Sequence, residues 1–320
     1  MYKVSILIPT YRQAGLVMRA VESALAQTYA PIEVVVCDDS PDLDTQKLLA
    51  PLLGLEPRLR YVKNASPLGR VENYHQALYE QAQGDWVLML DGDDFLIDVH
   101  FIADAMAGVR GQKGVVFAQG GGEIRLQEAD GIQKLMSLRL PDIAGNADWV
   151  DGERYVHRFP ARRRFLHLAT LFHRETAMNI GFYEQDLLSS DLESMLRLAL
   201  HGKVFLLKRA VGVWLWHGEN ASRSATVAVL EDNTRWASLV ADYAVRQHGW
   251  SQRRAQRWAA KVRAHEMIGV LIREIKYLKS QNKNKKDIFI YANTFITRHP
   301  YLRFHPVWWK KRMMLCFSGN

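Results

Sequence analysis

Cysteine is scarce in this 320-residue chain, which contains only Cys37 and Cys316. Cys37 ends an apolar run and Cys316 lies almost at the C-terminus, so we expect no structural disulfide. Two isolated thiols also exclude a metal site built from cysteine ligands. So little cysteine is typical of a reducing compartment, and we therefore expect a cytoplasmic protein.

Long hydrophobic runs are also absent. The first apolar stretch, residues 4–8, stops at Pro9 and is too short for the hydrophobic region of a signal peptide. The longest nearly unbroken apolar run, residues 210–216, is far below the ~18 residues that span a bilayer. We therefore expect neither a cleavable signal nor a transmembrane helix.

Acidic residues are scarce only in the last quarter of the chain. The formal net charge is +8, but residues 246–320 hold 17 basic and 3 acidic side chains, whereas residues 1–245 hold 25 basic and 31 acidic ones. The composition, with 48% hydrophobic and 24% charged residues, excludes a disordered or collagen-like chain. The length indicates one large domain with an appendage, or two domains.

The first 120 residues alternate between short apolar runs and helical patterns. We predict strands at residues 4–8, 32–37, 59–62 and 86–90, with helices at 16–26, 43–53 and 71–82 between them. Continuous apolar strands that alternate with helices are typical of a parallel sheet covered on both faces. Such sheets bind ligands beyond the carboxyl ends of their strands.

The second half of the chain is less uniform. Residues 123–164 follow a Gly-Gly-Gly run and read as irregular, so we expect a lid or acceptor loop there, or simply a solvated loop. Helices are predicted from about residue 175 and over 191–200, and strands over 204–207 and 211–216. From residue 231 onward the pattern is helical.

Polar residues follow three of the predicted strands. The segments are Pro-Thr-Tyr-Arg at residues 9–12, Asp-Asp-Ser at 38–40 and Asp-Gly-Asp-Asp at 91–94. These residue types also form ordinary turns, but three converging acidic strand ends favour a binding site. No glycine-rich phosphate loop follows these strands, so a bound phosphate would need a divalent cation, which Asp93 could hold.

These motifs occur in an order that resembles family-2 glycosyltransferases of the GT-A fold. They comprise residues 4–11, 38–40, 73–78 with 84–86, and 90–94, followed by 172–175 with 181–182, and 191–193 with 196–199. The resemblance covers roughly residues 1–225, about the length of one catalytic domain, and leaves 226–320 as a helical, basic and aromatic C-terminal region. It implies an α/β fold with a Rossmann-like mixed, mainly parallel sheet flanked by helices.

The resemblance also implies a binding site for the sugar donor. The nucleotide-sugar-binding residues that it indicates are Pro9, Thr10, Tyr11, Asp39, Asn73, Asp91 and Gly92. Tyr11 would stack on the nucleobase, and Asp39, or less readily Asp38, would accept a hydrogen bond from the imide of uracil or thymine. UDP and dTDP sugars are therefore favoured over GDP sugars. The family's usual Asn after the Tyr is Arg12 here, and Asn73 could equally cap its own helix.

A metal site follows from the same resemblance. Asp93 would bind Mg²⁺ or Mn²⁺, since the site offers hard oxygen ligands, and Asp91 would contact the ribose. Asp94 would support the turn. His217 would contact the metal or the diphosphate, although an isolated histidine is more often structural.

The predicted catalytic base is Asp191. In an inverting transfer, a base takes the acceptor's hydroxyl proton while the oxygen attacks the anomeric carbon. The family places this base within a Glu-Asp pair at a helix start, which reads Ser190-Asp191 here. Asp191 could instead cap its helix, and Glu193 is the second candidate for the base. Arg197 would brace the carboxylates.

The C-terminal region mixes cations with aromatic residues from residue 246 onward. Amphipathic segments of this kind bind anionic membrane surfaces, which is the interpretation we favour for residues 246–320. Packing on the catalytic domain or formation of a homodimer comes second. Nucleic acid binding is a distant third, so we expect no nucleic acid partner.

Together these features predict a metal-dependent, inverting glycosyltransferase. It would move a sugar from a nucleotide-diphosphate sugar to a saccharide or lipid-linked saccharide acceptor in bacterial surface polysaccharide biosynthesis, as a peripheral protein at the inner face of the plasma membrane. One alternative is a sugar-1-phosphate nucleotidyltransferase, which would need a glycine-rich basic loop after the first strand. The other is a non-catalytic module that binds nucleotide sugars or nucleic acid.

Overall fold

The computed structural model describes residues 1–128, 131–138, 140, 148–159, 165–218, 220 and 224–308. It divides into two compact units, Met1–Asn220 and Ala221–Asn320, which we call unit 1 and unit 2. The arginine run at residues 162–164, Cys316 and the basic and aromatic residues from 309 onward lie outside the described residues.

The first half of unit 1 alternates strands and helices. The elements are β1 (Val4–Thr10), α1 (Ala14–Leu25), β2 (Ile32–Asp38), α2 (Asp44–Leu53), β3 (Leu59–Lys63), α3 (Arg70–Gln76) with a π-helical turn at Ala77–Gln81, and β4 (Trp86–Met89). All the strands and helices predicted in this segment are present. Every residue of β1 and β2 is buried, which explains why these strands read as continuous apolar runs.

The second half of unit 1 completes the sheet. It contains β5 (Phe95–Leu96), α4 (Phe101–Val109), β6 (Val115–Glu128), β7 (Gly131–Leu138), β8 (Trp149–Asp151), α5 (Gly152–Arg158), a 3₁₀ turn (His167–Ala169), β9 (Thr170–His173), α6 (Arg174–Asn179), α7 (Ser190–Ala199) and β10 (Lys203–Trp216). The strands predicted at 204–207 and 211–216 are one strand, β10, with register shifts at Leu207/Ala210 and Ala210/Gly212.

The irregular loop predicted from residue 123 is wrong for the segment that β6 and β7 occupy, because these strands pair as an antiparallel hairpin. The glycine run at 120–122 lies inside β6 rather than in a turn. A Cβ on Gly121 would lie 2.7 Å from the main-chain oxygen of Leu138, so the close approach of the chain requires glycine there.

The sheet has the strand order β3-β2-β1-β4-β9-β6-β10-β5. Strands β1 to β4 are parallel, β9 runs antiparallel to β4 and β6, and β10 is parallel to β6. Thr10 pairs with Asp38, and Leu7 pairs with Met89, so the carboxyl ends of β1, β2 and β4 meet at one edge. This confirms the mixed, mainly parallel sheet with flanking helices.

Unit 2 is helical in its described part. It comprises α8 (Val227–Asn233), α9 (Trp236–His248), α10 (Gln252–Ser280), α11 (Lys285–Arg298) and a 3₁₀ turn (Pro300–Phe304). Apolar residues of α10 and α11, including Leu271, Ile275 and Phe295, pack into a core cluster with Leu302 and Trp308. Among the residues that the structure describes, no helix combines the length and apolar character needed to cross a membrane.

Candidate active site

The carboxyl ends of β1 and β4 come together around Gly92. The N–H of Gly92 donates to the main-chain oxygen of Pro9 at 3.0 Å. A Cβ on Gly92 would lie 2.7 Å from Thr10 Oγ1, so a larger residue would push the two strand ends apart. Pro9, Thr10 and Gly92 therefore form the floor of the site.

Three carboxylates, those of Asp91, Asp93 and Asp94, follow β4. One oxygen from each lies within 4.8 Å of the others. Burial and then the charge of Asp93 raise the pKa of Asp91 to about 7, and the same two causes raise the pKa of Asp94 well above its usual range. Buried carboxylates that repel one another are stabilised by a cation.

The three carboxylates have different partners. Tyr74 donates its hydroxyl to Asp91 Oδ1 at 2.6 Å. Asp94 Oδ1 accepts the N–H of Leu215 at 2.9 Å, which ties the turn to β10 as predicted for a supporting residue. Asp93 is therefore the carboxylate of this cluster that bonds neither to Tyr74 nor to β10.

His217 and Asn220 hold one oxygen of Asp93. His217 Nε2 lies 2.8 Å from Asp93 Oδ2, and the Asn220 amide donates to the same oxygen at 3.1 Å. Asn220 Oδ1 also accepts the N–H of His217 at 2.7 Å, which fixes the two residues relative to each other. The structure thus brings His217 to the predicted metal ligand and adds Asn220.

The predicted nucleobase platform lies open at the end of β1. The Tyr11 side chain is 48% exposed, and the guanidinium carbon of Arg12 lies 5.3 Å from the centre of its ring. Arg12 has a positive φ of 56°, and its N–H donates to Ser40 Oγ at 2.8 Å. Arg12 therefore joins the ends of β1 and β2 beside an accessible aromatic face.

Asp39, the predicted reader of the base, also holds a loop of the protein. Its Oδ1 accepts the amide of Asn64 at 2.9 Å and the N–H of Leu68 at 2.7 Å, and its Oδ2 accepts the N–H of Gly69 at 2.9 Å. A carboxylate accepts about four hydrogen bonds, so these three leave room for about one more. Asp38 is fully buried and accepts from Tyr61 at 2.7 Å.

Asn73 lies beneath the site rather than on its surface. Its amide donates to the main-chain oxygen of Cys37 at 3.1 Å, and its Oδ1 accepts from Asn64 at 3.0 Å. The side chain is 3% exposed. The structure therefore places Asn73 as a brace between α3 and the end of β2, and its contact with a donor stays a prediction.

Asp191 lies in the first turn of α7, which starts after Ser189. Among the described residues, its side chain has no hydrogen bond or ion pair. Glu193, the second candidate for the base, is 1% exposed and pairs with Arg197 at 2.6 Å. Arg197 also donates to the main-chain oxygen of Gly181 at 2.8 Å. Glu193 is thus occupied within the fold, whereas the Asp191 carboxylate is available.

A cluster that sequence reasoning missed surrounds Asp191. His167 Nε2 lies 2.7 Å from the Tyr183 hydroxyl, and both rings pack edge-on or tilted against Tyr74 with centres 5.5 Å away. Burial lowers the pKa of His167 to about 4. The charge of Asp191 raises this pKa by a smaller amount, and the charge of Arg70 lowers it further. His167 is therefore neutral at physiological pH. Tyr74 and Arg70 could have been suspected because they lie beside Asn73, but no motif marks His167 or Tyr183.

The donor set of the carboxylate cluster fits a hard divalent cation. Its ligands are oxygens of Asp91, Asp93 and Asp94, and no thiolate contributes. Mg²⁺ and Mn²⁺ are bound through carboxylate oxygens, usually together with phosphate oxygens of a substrate. Burial and the charge of Asp93 raise the pKa of Asp91 and of Asp94, and a bound cation would oppose both effects by favouring the ionised carboxylates.

The mixed, mainly parallel sheet with flanking helices is that of a GT-A α/β fold. Residues 5–116 match the model of the family described as glycosyl transferase family 2. Residues 5–116 are therefore similar to family-2 glycosyl transferases, as the motifs predict.

Curated relatives match about a third of this chain. A chondroitin synthase of Pasteurella multocida is 37% identical over 93 residues, which is 29% of this chain and 9% of that protein. A UDP-Glc:alpha-D-GlcNAc-diphosphoundecaprenol beta-1,3-glucosyltransferase of Escherichia coli is 33% identical over 105 residues, 31% of this chain and 41% of that protein. This chain thus spans less than half the length of either relative.

Solved structures resemble the fold over more of the chain. Residues 1–349 of S. aureus TarS, in complex with UDP-GlcNAc, superpose with a TM-score of 0.63 at 18% identity, covering 83% of this chain and 72% of that one. A mannosyltransferase of Pyrobaculum calidifontis, in complex with GDP-Man and Mn²⁺, gives a TM-score of 0.56 at 15% identity, covering 98% and 84%. At these identities the likeness shows the fold alone.

Proposed function

We propose that this protein is an inverting, metal-dependent glycosyltransferase that uses a nucleotide-diphosphate sugar. The observation that carries the proposal is that the carboxylate cluster and Asp191 share one site. Tyr74 donates to Asp91 and lies beside Arg70, which donates to the main-chain oxygens just before Asp191. A site for the donor's diphosphate and a carboxylate available as a base are the two parts that such a transfer needs.

The residues of the site have separate tasks in this reaction. Asp191 accepts the proton of the acceptor's hydroxyl while that oxygen forms a bond to the anomeric carbon. The bond from the anomeric carbon to the diphosphate breaks on the opposite face, and the electron pair leaves with the nucleoside diphosphate. A cation held by Asp93, with oxygens of Asp91 or Asp94, would supply charge that stabilises the leaving group. His217 and Asn220 keep Asp93 in position.

The nucleotide is UDP or dTDP in this proposal. Tyr11 provides an exposed aromatic face for a base, and Asp39 retains capacity for about one more hydrogen bond, which an imide N–H can donate. UDP-Glc in the name of the E. coli relative, and UDP-GlcNAc in the TarS complex, support this choice. GDP-Man in the mannosyltransferase complex makes GDP sugars the second candidate.

The acceptor is a saccharide or a lipid-linked saccharide of surface polysaccharide biosynthesis. The E. coli relative is named for a diphosphoundecaprenol acceptor, and the relatives include a Rhizobium meliloti succinoglycan biosynthesis protein. A lipid-linked acceptor would require the enzyme to work at a membrane surface. We therefore propose that the enzyme works at the inner face of the plasma membrane, where nucleotide sugars are available.

Unit 2 offers a surface for that membrane association. The turn between α10 and α11 carries exposed cations on both sides, and Tyr277 and Ile290 are exposed near it at 57% and 53%. The exposed lysines are Lys276, Lys279, Lys283, Lys285 and Lys286. Cations beside exposed apolar side chains favour anionic lipid headgroups, each lysine contributing about 1 kcal/mol. Flotation of wild-type protein and of a variant with these lysines changed to Gln, on vesicles with and without phosphatidylglycerol, tests this part. Equal recovery of both proteins on the anionic vesicles contradicts membrane association. If unit 2 instead forms a homodimer, sedimentation of the protein shows the dimer's mass.

A donor screen tests the proposed activity. Release of nucleoside diphosphate is measured for UDP, dTDP and GDP sugars, with Mn²⁺ or with excess EDTA, and the Asp93→Asn variant is run beside wild type. We expect release from a uridine or thymidine sugar that EDTA and Asp93→Asn reduce by on the order of 100-fold or more. Full activity in EDTA contradicts the metal. Release of pyrophosphate from a nucleoside triphosphate and a sugar 1-phosphate would instead identify a nucleotidyltransferase.

A further inference from the structure

Arg70, the first residue of α3, reaches across unit 1 to the segment that leads into α7. Its Nη2 donates to the main-chain oxygen of Leu187 at 2.7 Å and to that of Leu188 at 3.0 Å. Leu188 precedes Asp191 by three residues. The guanidinium therefore fixes the chain immediately before the predicted base.

The same guanidinium also lies beside the donor side of the site. Its carbon is 5.4 Å from the centre of the Tyr74 ring, and Tyr74 donates to Asp91. Arg70 thus stands between the carboxylate that would contact the ribose and the segment that carries Asp191. Its electrostatic neighbours include both Asp91 and Asp191.

The geometry requires an arginine. A planar guanidinium can donate to two adjacent carbonyl groups while one face rests near an aromatic ring. A lysine ammonium carries the same charge but sits on a flexible stem and has no planar face to rest near the Tyr74 ring, so it would hold the two carbonyls less rigidly. A merely charged residue at this position would leave the segment less well fixed.

We propose that Arg70 is a positioning residue for the transfer reaction. By holding the carbonyls of Leu187 and Leu188, Arg70 keeps Asp191 at the position from which it can accept the proton of the acceptor's hydroxyl. The inference rests on the proposed function, because it takes Asp191 to be the base. Arg70 itself touches no reacting atom in this scheme.

The test combines Arg70→Lys with Asp191→Asn. Arg70→Lys alone should lower kcat on the order of 10- to 100-fold, since small misplacement of a reacting group has effects of this size, and should leave the donor KM nearly unchanged. In the Asp191→Asn background, Arg70→Lys should cause no further loss, because the base that it positions is gone. Guanidinium ions at millimolar concentration should partly restore kcat in Arg70→Ala.

Arg58→Lys is the matched control, since Arg58 also donates to a main-chain oxygen, that of Leu25 at 3.2 Å, away from the site. Independent losses that multiply in the double variant would overturn the inference, as would a raised donor KM with unchanged kcat. If Arg70→Ala fails to fold, Arg70→Lys carries the test, with thermal midpoints measured for each protein. A wild-type protein that transfers no sugar would refute the proposed function itself, before any Arg70 variant is made.

Discussion

The two units bury different kinds of residue. Unit 1 buries carboxylates at its strand ends, among them Asp38, Asp39 and Asp94. In the described part of unit 2, the buried polar side chains are Asn233 and Thr234, and the core is otherwise apolar. Burying a carboxylate is unfavourable unless it gains partners, so its presence indicates a site that serves chemistry rather than stability. Unit 2 instead keeps most of its charges in water, as expected for a structural or docking element.

The largest expected difference between the units is the loss of activity when the proposed base in unit 1, Asp191, is replaced. Asp191→Asn should lower kcat on the order of 100- to 10,000-fold, because the amide cannot accept the acceptor's proton. Binding of the nucleoside diphosphate, measured by calorimetry with Mn²⁺, should stay the same. Asp44→Asn, an exposed carboxylate paired only with Lys47, is the control. Transfer by Asp191→Asn at the wild-type rate would show that another group is the base.

Phe295→Ala, in unit 2, should change stability rather than activity. Phe295 is fully buried in the core of unit 2. Its truncation should therefore lower the free energy of unfolding by about 3–5 kcal/mol. Urea denaturation measures this, with the exposed Leu55→Ala as a near-neutral control. The folded variant should keep its kcat for a water-soluble acceptor, because the site residues lie in unit 1. A loss of kcat at full folding would break the comparison between the units.

Metal-free protein should show a pH effect that arises from the carboxylate cluster of unit 1. The folded pKa of Asp91 is raised to about 7, so the folded state holds a proton that the unfolded state has released. The contribution of Asp91 to stability therefore falls as pH rises from about 4 to about 7. Mn²⁺ should raise the thermal midpoint more at pH 7.5 than at pH 5, where protons compete for the ligands. Equal shifts at both pH values would contradict this, and Asp91→Asn should flatten the profile.

The smallest expected effect is at Cys37. Burial raises the pKa of its thiol to about 12, and the side chain is 2% exposed. Iodoacetamide at pH 8 should leave Cys37 unmodified in the native protein and modify it in urea, as peptide mass mapping would show. Rapid native modification would mean that the end of β2 opens, which would weaken the contrast with unit 2.

Sequence patterns predicted the parts of the site that depend on strand register. Tyr11, Asp39 and Asp91 follow strands whose parallel pairing brings their ends together, so their proximity could be expected without coordinates. The clustering of Asp93 with His217 followed from the resemblance and is present as a 2.8 Å contact. Local periodicity was sufficient for the helices of unit 2 as well.

Tertiary hydrogen bonding was not predictable in the same way. That Asp39 binds the Leu68 and Gly69 amides depends on a loop whose path has no periodic signal. His167 and Tyr183 meet through segments 16 residues apart that no motif connects. The segment after the glycine run at 120–122 was predicted to be irregular because glycine marks close strand packing as well as turns, and only the neighbouring strands distinguish the two.

Helix α3 has a consequence for how such an enzyme could change its donor. Within about one turn, Arg70, Asn73 and Tyr74 contact the segment before Asp191, the end of β2 and the carboxylate after β4. A substitution there would disturb several functions at once. Tyr11 and Arg12 are exposed at the end of β1, so under the proposed function a new nucleotide preference is more accessible there. Directed evolution of the donor should therefore randomise residues 11 and 12 and leave α3 unchanged.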